Sequence, residues 1–194
     1  MRKLIYYIAL SIDGYIAGPD DEVEFFSGSE EYLTWMVDDY GDALPAAYRD
    51  ELGRADVAPS RFDTVVMGRR TYDIALRAGV TSPYSHLRQV VFSRTLDAPD
   101  PAVTIAAGEA SATVRSLKAE DSGLDIYLAG GGRLAGQLLD EIDELVIKRY
   151  PVVAGAGIPA FGPVFAPTAF SLDGVRSFDG GNLVEWYSRT PDRA

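Results

Sequence analysis

The sequence predicts an α/β fold: a mainly parallel sheet of eight strands, four or five helices alternating with them, and an antiparallel hairpin at the end. Three observations predict it. Short runs rich in β-branched and aromatic residues alternate with segments of helical spacing. Several of these runs end at glycine or hydroxyl junctions from which a helix departs. Asp179-Gly180-Gly181-Asn182 separates two alternating runs and reads as a tight hairpin turn. With 194 residues, no internal repeat and no low-complexity linker, residues 1–194 read as one domain, large enough to bury a core without staples.

Taken in order, Leu4 to Leu10 is an apolar run rich in Ile and Tyr that fits a buried strand, and Ser11-Ile12-Asp13-Gly14 gives it a turn. Gly18 to Asp21 is a loop. Ser27 with Glu30 matches a capping box, followed at helical spacing by Tyr32, Leu33, Met36, Val37 and Tyr40. A second helix is expected from Pro45 to Asp56 with Leu44, Tyr48, Leu52 and Ala55 on one face. Thr64 to Met67 is the next strand, a helix starts near Thr71, and strands follow at Gln89–Phe92 and Val103–Ala106. Ser111 opens a helix carrying Val114 and Leu117, Asp125 to Ala129 is a strand, and Arg133 to Glu141 is a helix with Leu134, Leu138 and Leu139 inward. Glu144 to Val153 is a long strand, and Ala169–Phe178 with Leu183–Arg189 forms the hairpin. The Gly/Pro-rich stretch Val153 to Pro167 keeps Ile158, Phe161, Val164 and Phe165, which a solvated linker would not need, so it reads as an ordered loop.

Composition narrows the chemistry. No cysteine means no thiol nucleophile and no thiolate metal site, and a single histidine, His86, expected at the surface, makes a zinc site or a Ser/His/Asp triad hard to build. No metal is expected. A net charge of −11 argues against nucleic acid or an anionic membrane as partner. No apolar run approaches the roughly 20 residues of a membrane span. A soluble, cytoplasmic protein acting on a small molecule is expected.

The candidate site lies where strands end. Tyr127-Leu128-Ala129 runs into Gly130-Gly131-Gly132 and then a helix, a junction that reads either as a plain turn or as a phosphate cradle, in which backbone lacking Cβ and first-turn N–H groups meet an anion. Gly68-Arg69-Arg70-Thr71 and Ser93-Arg94-Thr95 end two other strands, and in an open α/β sheet such carboxyl ends can share one ligand. Glycines, hydroxyls and the guanidinium groups of Arg69, Arg70, Arg94 and Arg133 together suit phosphate.

Ile8-Ala9-Leu10-Ser11-Ile12-Asp13-Gly14-Tyr15-Ile16-Ala17, Val65-Val66-Met67-Gly68-Arg69-Arg70-Thr71-Tyr72 and Tyr127-Leu128-Ala129-Gly130-Gly131-Gly132-Arg133-Leu134 resemble the dihydrofolate reductase-like superfamily. The closer likeness is to its branch related to the C-terminal reductase domain of the riboflavin-biosynthesis deaminase-reductase. It covers nearly the whole chain, because Ile147-Lys148-Arg149-Tyr150-Pro151 and Gly155-Ala156-Gly157-Ile158-Pro159-Ala160-Phe161 share it. The resemblance implies a three-layer α/β/α domain that binds NADPH and moves hydride to a heterocycle. It implies that Ala9 and Ile16 line the nicotinamide, that Gly68, Arg69 and Thr71 hold phosphates, and that Ser93 and Arg94 sit near the adenosine ribose. Gly130, Gly131, Gly132, Arg133 and Leu134 would hold the pyrophosphate and Gln137 the adenine, with Arg69 and Arg94 favouring the 2′-phosphate. A homodimer is a family-level expectation.

Dihydrofolate reductases use a buried carboxylate on the helix before the second motif, and here that helix offers Asp50 and Glu51 in a different context. Glu51 is either that acid or a solvated side chain. Candidate substrate walls are Phe25, Phe26, Trp35, Met36, Tyr40 and Tyr48. A zinc deaminase site cannot be assembled without cysteine and with one histidine, so reductase chemistry would belong to a domain acting alone. Two functions follow: an NADPH-dependent reductase of a small heterocyclic or carbonyl substrate, or a nucleotide-binding module without turnover. A Rossmann dehydrogenase fares poorly, because Ser11-Ile12-Asp13-Gly14 has one glycine where its fingerprint needs three.

Overall fold

The computed structural model describes residues 1–163 and 165–190; Val164 lies outside them. Its strands are β1 (Leu4–Leu10), β2 (Tyr15–Ala17), β3 (Phe62–Gly68), β4 (Arg88–Phe92), β5 (Val103–Ala106), β6 (Asp125–Gly130), β7 (Glu144–Arg149), β8 (Ile158–Pro159), β9 (Phe170–Ser177) and β10 (Leu183–Arg189). Its α-helices are α1 (Glu30–Tyr40), α2 (Ala46–Glu51), α3 (Arg69–Arg77), α4 (Ala110–Ala119) and α5 (Gly132–Gln137). Eight strands form one sheet in the order β5-β4-β3-β6-β1-β7-β10-β9, and β2 pairs with β8 in a separate ribbon. The first six of the eight are parallel and the hairpin β9–β10 joins antiparallel through β7, as the alternation predicts. No helix among the described residues is long and apolar enough to cross a membrane.

Side chains alternate across the pleat, so each strand feeds two cores. Ile5, Tyr7, Val65, Met67, Tyr127 and Val146 point to the face covered by α1 and α3, where Tyr32, Trp35, Tyr40 and Tyr72 meet them. Leu4, Tyr6, Val66, Ile126 and Leu128 point the other way, against Val114 and Leu117 of α4 and Leu134 and Leu138 beside α5. The result is the three-layer α/β/α arrangement. The first core is built largely from stacked aromatics: the Tyr7 and Tyr40 rings lie parallel at 4.4 Å, and Trp35 packs edge-on against Trp186 at 5.9 Å.

Several elements differ from expectation for reasons that lie in tertiary contacts. The N-cap of α1 is Ser29, whose hydroxyl accepts from the Tyr32 N–H at 3.2 Å, and not Ser27. Helix α2 is half its expected length and turned over. Tyr48 and Leu52 are exposed, while Arg49 is 2 % exposed and donates to the Gly41 and Val57 carbonyls with Asp42 beside it at 3.6 Å. A buried guanidinium needs several acceptors at once, and that requirement outweighs the apolar stripe. Strand β7 stops at Arg149, where Tyr150 N–H still bonds Leu10 before Pro151 ends the ladder. Helix α5 stops at Gln137, and Leu139–Glu141 is a 3₁₀ turn. In the Gly/Pro-rich stretch Phe161 packs edge-on against Tyr6, but Phe165 is 96 % exposed. His86 is half-buried, with Nε2 2.9 Å from the Asp42 carbonyl and burial lowering its pKa.

Candidate functional site

Parallel pairing of β1, β3, β4 and β6 carries four strand ends to one edge of the sheet. There the glycine junctions meet. A Cβ built on Gly68, the N-cap of α3, would lie 3.7 Å from Leu134 Cβ and 3.8 Å from Gly131 N. One built on Gly131, the N-cap of α5, would lie 3.5 Å from Thr71 Oγ1 and 4.0 Å from Ile16 Cδ1, and one on Gly130 would lie 3.9 Å from Ile8 Cδ1. Gly68, Thr71, Gly130, Gly131, Leu134 and Ile16 therefore share one corner. The Gly130–Gly131 peptide is cis, and Gly130 has a φ of +113°, which side chains other than glycine rarely adopt.

Gly132 has a different task. A Cβ there would collide with the Pro159 carbonyl oxygen, and the Gly162 N–H donates to the Gly132 carbonyl at 2.6 Å. The close approach its sequence context promises is to the chain's own segment 159–162. Leu134 is 5 % exposed and packs in the core with α4, so its side chain closes the bottom of the corner and offers no polar group to a ligand.

The arginines divide into paired and unpaired. Arg69 Nε bonds Asp73 one turn along α3 at 2.6 Å. Arg70 Nε bonds Asp21 at 2.6 Å, and Arg77 reaches the same carboxylate at 2.8 Å. Partial burial raises the Asp21 pKa, but the two guanidiniums outweigh it and hold the carboxyl below its usual value. Arg94 and Arg133 are exposed and have no ion pair or hydrogen bond among the described residues. Ser93 Oγ accepts the N–H groups of Thr95 and Leu96 at 3.3 and 3.1 Å, a hydroxyl turn with Arg94 within it. Gln137 is exposed at the end of α5. Thr71, Arg94 and Arg133 thus retain free donor capacity for phosphate; Arg69 and Arg70 would have to exchange a carboxylate for it.

Beside this corner the sheet is only partly covered. Ala9 and Ala129 sit in strands paired on both edges, on the face of α1 and α3, and both stay partly exposed. In the middle of a sheet that exposure means the helical layer leaves a gap. Ala9 pairs with Lys148 of β7, and the Lys148 amine stands 3.8 Å over the Tyr7 ring and 4.0 Å from Met36 Sδ. Burial alone brings its pKa down to about 7. Phe26 packs on Tyr150 with ring centroids 4.7 Å apart, and Phe25 on Phe26 at 4.4 Å, so both half-buried rings stand on the same side.

Other expected site residues lie elsewhere. Trp35 is 5 % exposed among Tyr32, Tyr40, Phe178 and Trp186, which makes it core, because the hairpin brings its aromatic partners from far along the chain. Tyr40 is core as well. Tyr48 and Glu51 are exposed on α2, turned outward by Arg49, and Glu51 has no partner among the described residues. The buried carboxylate expected of that helix is not supplied by Glu51.

Two residues carry more than their sequence context suggested. Lys148 is a charged residue at an inward position of a strand, between Val146 and Tyr150, and that register was the available signal. Asp13, in the turn after β1, accepts the N–H groups of Ala154 and Gly155 at 2.9 and 2.7 Å and the Ser11 hydroxyl at 2.7 Å, which pull its pKa down to about 2. It ties the loop after β7 to the turn after β1, and the β2–β8 ribbon continues that tie toward Gly132.

A hollow of about 780 Å³ lies elsewhere, between α1 and the β9–β10 turn. Glu30, Glu31, Asp38, Asp39 and Asp179 line it against one Arg176, a charge balance that repels phosphate.

The family model for the RibD C-terminal domain matches residues 2–184. Among curated proteins, the chain is 32 % identical over 180 residues to the uncharacterized protein YwjB of Bacillus subtilis strain 168, covering 91 % of this chain and 92 % of that one. It is 24 % identical over 193 residues to the uncharacterized protein YyaP of the same strain, covering 93 % and 91 %. Among solved structures, a provisionally assigned riboflavin biosynthesis protein from Shewanella sp. PV-4 superposes with a TM-score of 0.72 at 26 % identity, over 97 % of this chain and 99 % of that one. The diaminohydroxyphosphoribosylaminopyrimidine deaminase/5-amino-6-(5-phosphoribosylamino)uracil reductase of Thermotoga maritima shares the fold, with a TM-score of 0.63 at 15 % identity, over 97 % of this chain and 57 % of that one.

Proposed function

The chain belongs to the RibD C-terminal domain family, and from that premise we propose that it is a reductase that uses NADPH to deliver hydride to a small heterocyclic (pterin- or aminopyrimidinone-like) or carbonyl substrate. The observation that carries the reading is the partly exposed floor of Ala9 and Ala129, with Thr71 and the unpaired Arg94 and Arg133 just past neighbouring strand ends. Small side chains admit a flat ring against the sheet, and free guanidiniums meet phosphate without first breaking an ion pair. When bound, the cofactor supplies the hydride. The protein's part is to hold it through Gly68, Thr71, Gly131, Arg94 and Arg133, and to keep the ring and substrate in register between Ala9 and the Phe25–Phe26 side, away from water.

Differential stabilisation tests this. NADPH at a hundredfold excess over its Kd adds about 2.7 kcal/mol and raises Tm by roughly 5–10 °C, and NADH is expected to do less. Arg94→Ala is expected to weaken NADPH binding roughly tenfold, about 1.4 kcal/mol, and to leave NADH nearly unchanged. Equal stabilisation by the two nucleotides would overturn the assignment.

The exposed Glu51 favours a second reading, a nucleotide-binding module without turnover. A screen of NADPH oxidation against pterins, aminopyrimidinones and quinones separates the two, since the module would bind saturably and turn over none of them.

A further inference from the structure

Lys148 is the one lysine of three without a carboxylate partner among the described residues. Lys3 is held by Glu144 at 2.5 Å and Lys118 by Asp143 at 2.7 Å. Lys148 instead has the face of Tyr7 at 3.8 Å and the Met36 thioether at 4.0 Å, with Ala9 beside it on the neighbouring strand. The Tyr7 hydroxyl beneath it is buried without a hydrogen-bond partner. An inward-facing lysine on a strand costs stability unless it is paired, so its place calls for another account.

We propose that Lys148 is the proton donor of the reaction, and that the substrate is accordingly one whose reduced bond is a carbonyl or imine with its oxygen or nitrogen on the β7 side of Ala9. The proposal rests on the reductase reading above. As the carbon accepts hydride its π bond breaks, and the Lys148 ammonium gives a proton to the oxygen or nitrogen, forming the O–H or N–H bond. The neutral amine then takes a proton from solvent. Each two-electron reduction thereby consumes one hydride from NADPH and one proton.

The surroundings fit an amine that changes charge near neutrality. Tyr7 faces it from β1, Tyr32 and Tyr40 come from α1, Tyr150 lies two residues on, just past the end of β7, and all four are phenols with pKa raised by burial. Val184 pairs with it from β10, and beyond that strand Arg176 of β9 is bound to Glu31. Glu144, on the same face of β7, is occupied by Lys3. No carboxylate near it among the described residues is free to fix the ammonium, and burial brings its pKa to about 7, close to the pH at which a proton donor both holds and releases its proton well.

The experiment has two arms. In the protein without nucleotide, acylation of the lysines is followed against pH by peptide mass spectrometry. Lys148 is expected to titrate near pH 7, and Lys3, raised by Glu144, above the ordinary lysine value of 10.5. In the second arm, Lys148→Met and Lys148→Arg are compared with the wild type for NADPH binding and for pH profiles of kcat/KM with any substrate turned over in the screen. Both variants are expected to bind NADPH within about twofold and to lose about a hundredfold or more in kcat/KM, together with the wild type's decline above pH 7. The guanidinium of the second variant keeps the charge but cannot release a proton at this pH. A Lys148 that titrates near its ordinary value, or a Lys148→Met variant within threefold of the wild type with an unchanged pH profile, overturns the proton-donor role and leaves the reductase reading standing. A wild type that binds no NADPH, or binds it and turns over nothing, overturns both.

Discussion

Lys148 illustrates how much a single side chain can be reshaped by its neighbours. Its charged form is disfavoured by burial, so the folded chain binds its proton less tightly than the unfolded chain does. Because the folded pKa of about 7 lies below the unfolded value of 10.5, stability is lowest below pH 7 and rises as pH climbs from about 7 to 10.5. Lys148→Met is therefore expected to raise stability by a few kcal/mol at pH 6, with the gain shrinking toward pH 10; denaturant melts at both pH values measure it, and a pH-independent difference would contradict it. The arginines show the same dependence on context. Arg69, Arg70, Arg94 and Arg133 are equivalent in sequence, each just past the end of a strand. Asp73 lies within one turn of Arg69 and could have been foreseen as its partner by i, i+4 spacing. Asp21, which holds Arg70, arrives from 49 positions away and gave no local sign.

At the scale of elements, the glycine triplet separates into three tasks. Gly130 supplies a positive φ at the end of β6, Gly131 leaves room beside Thr71 and Ile16, and Gly132 leaves room for Pro159. Gly131→Ala would add a methyl at ordinary contact distance on a backbone with φ of −88°, so stability should change by less than about 1 kcal/mol while NADPH binding falls at least tenfold. Gly132→Ala drives a methyl into a backbone carbonyl and should cost about 1–3 kcal/mol, lowering Tm by roughly 3–10 °C. Thermal melts with and without NADPH measure both, and equal effects of the two substitutions would refute this division of roles. The β2–β8 ribbon that creates the difference was not legible, because β8 is two residues long and its partner strand comes from near the start of the chain. The outward turn of α2 was equally hidden: the apolar spacing of Tyr48 and Leu52 was present, but Arg49 needed acceptors that only the folded loops provide.

For the whole molecule, β9 is a sheet edge that exposes Leu172 and Val175, and an unpaired edge with apolar side chains favours association. The homodimer expected from family likeness is a proposal that this edge makes testable. Light scattering should give twice 21.0 kDa, and Leu172→Asp should shift it toward a single chain; a wild type already at 21.0 kDa would refute the dimer. The eight sheet strands, their mostly parallel sense, the closing hairpin and the family were all determined by the sequence itself. Pleat alternation, helical spacing and turn chemistry act between residues a few positions apart, and the motifs that carry the family are contiguous. Only the tertiary structure decided which arginines stay free, that Gly132 serves the chain's own backbone, that Glu51 faces solvent and that Lys148 lies over Tyr7. Those outcomes depend on pairing and burial between segments far apart in the chain, and the electrostatics of a partly buried amine are set by every element packed around it.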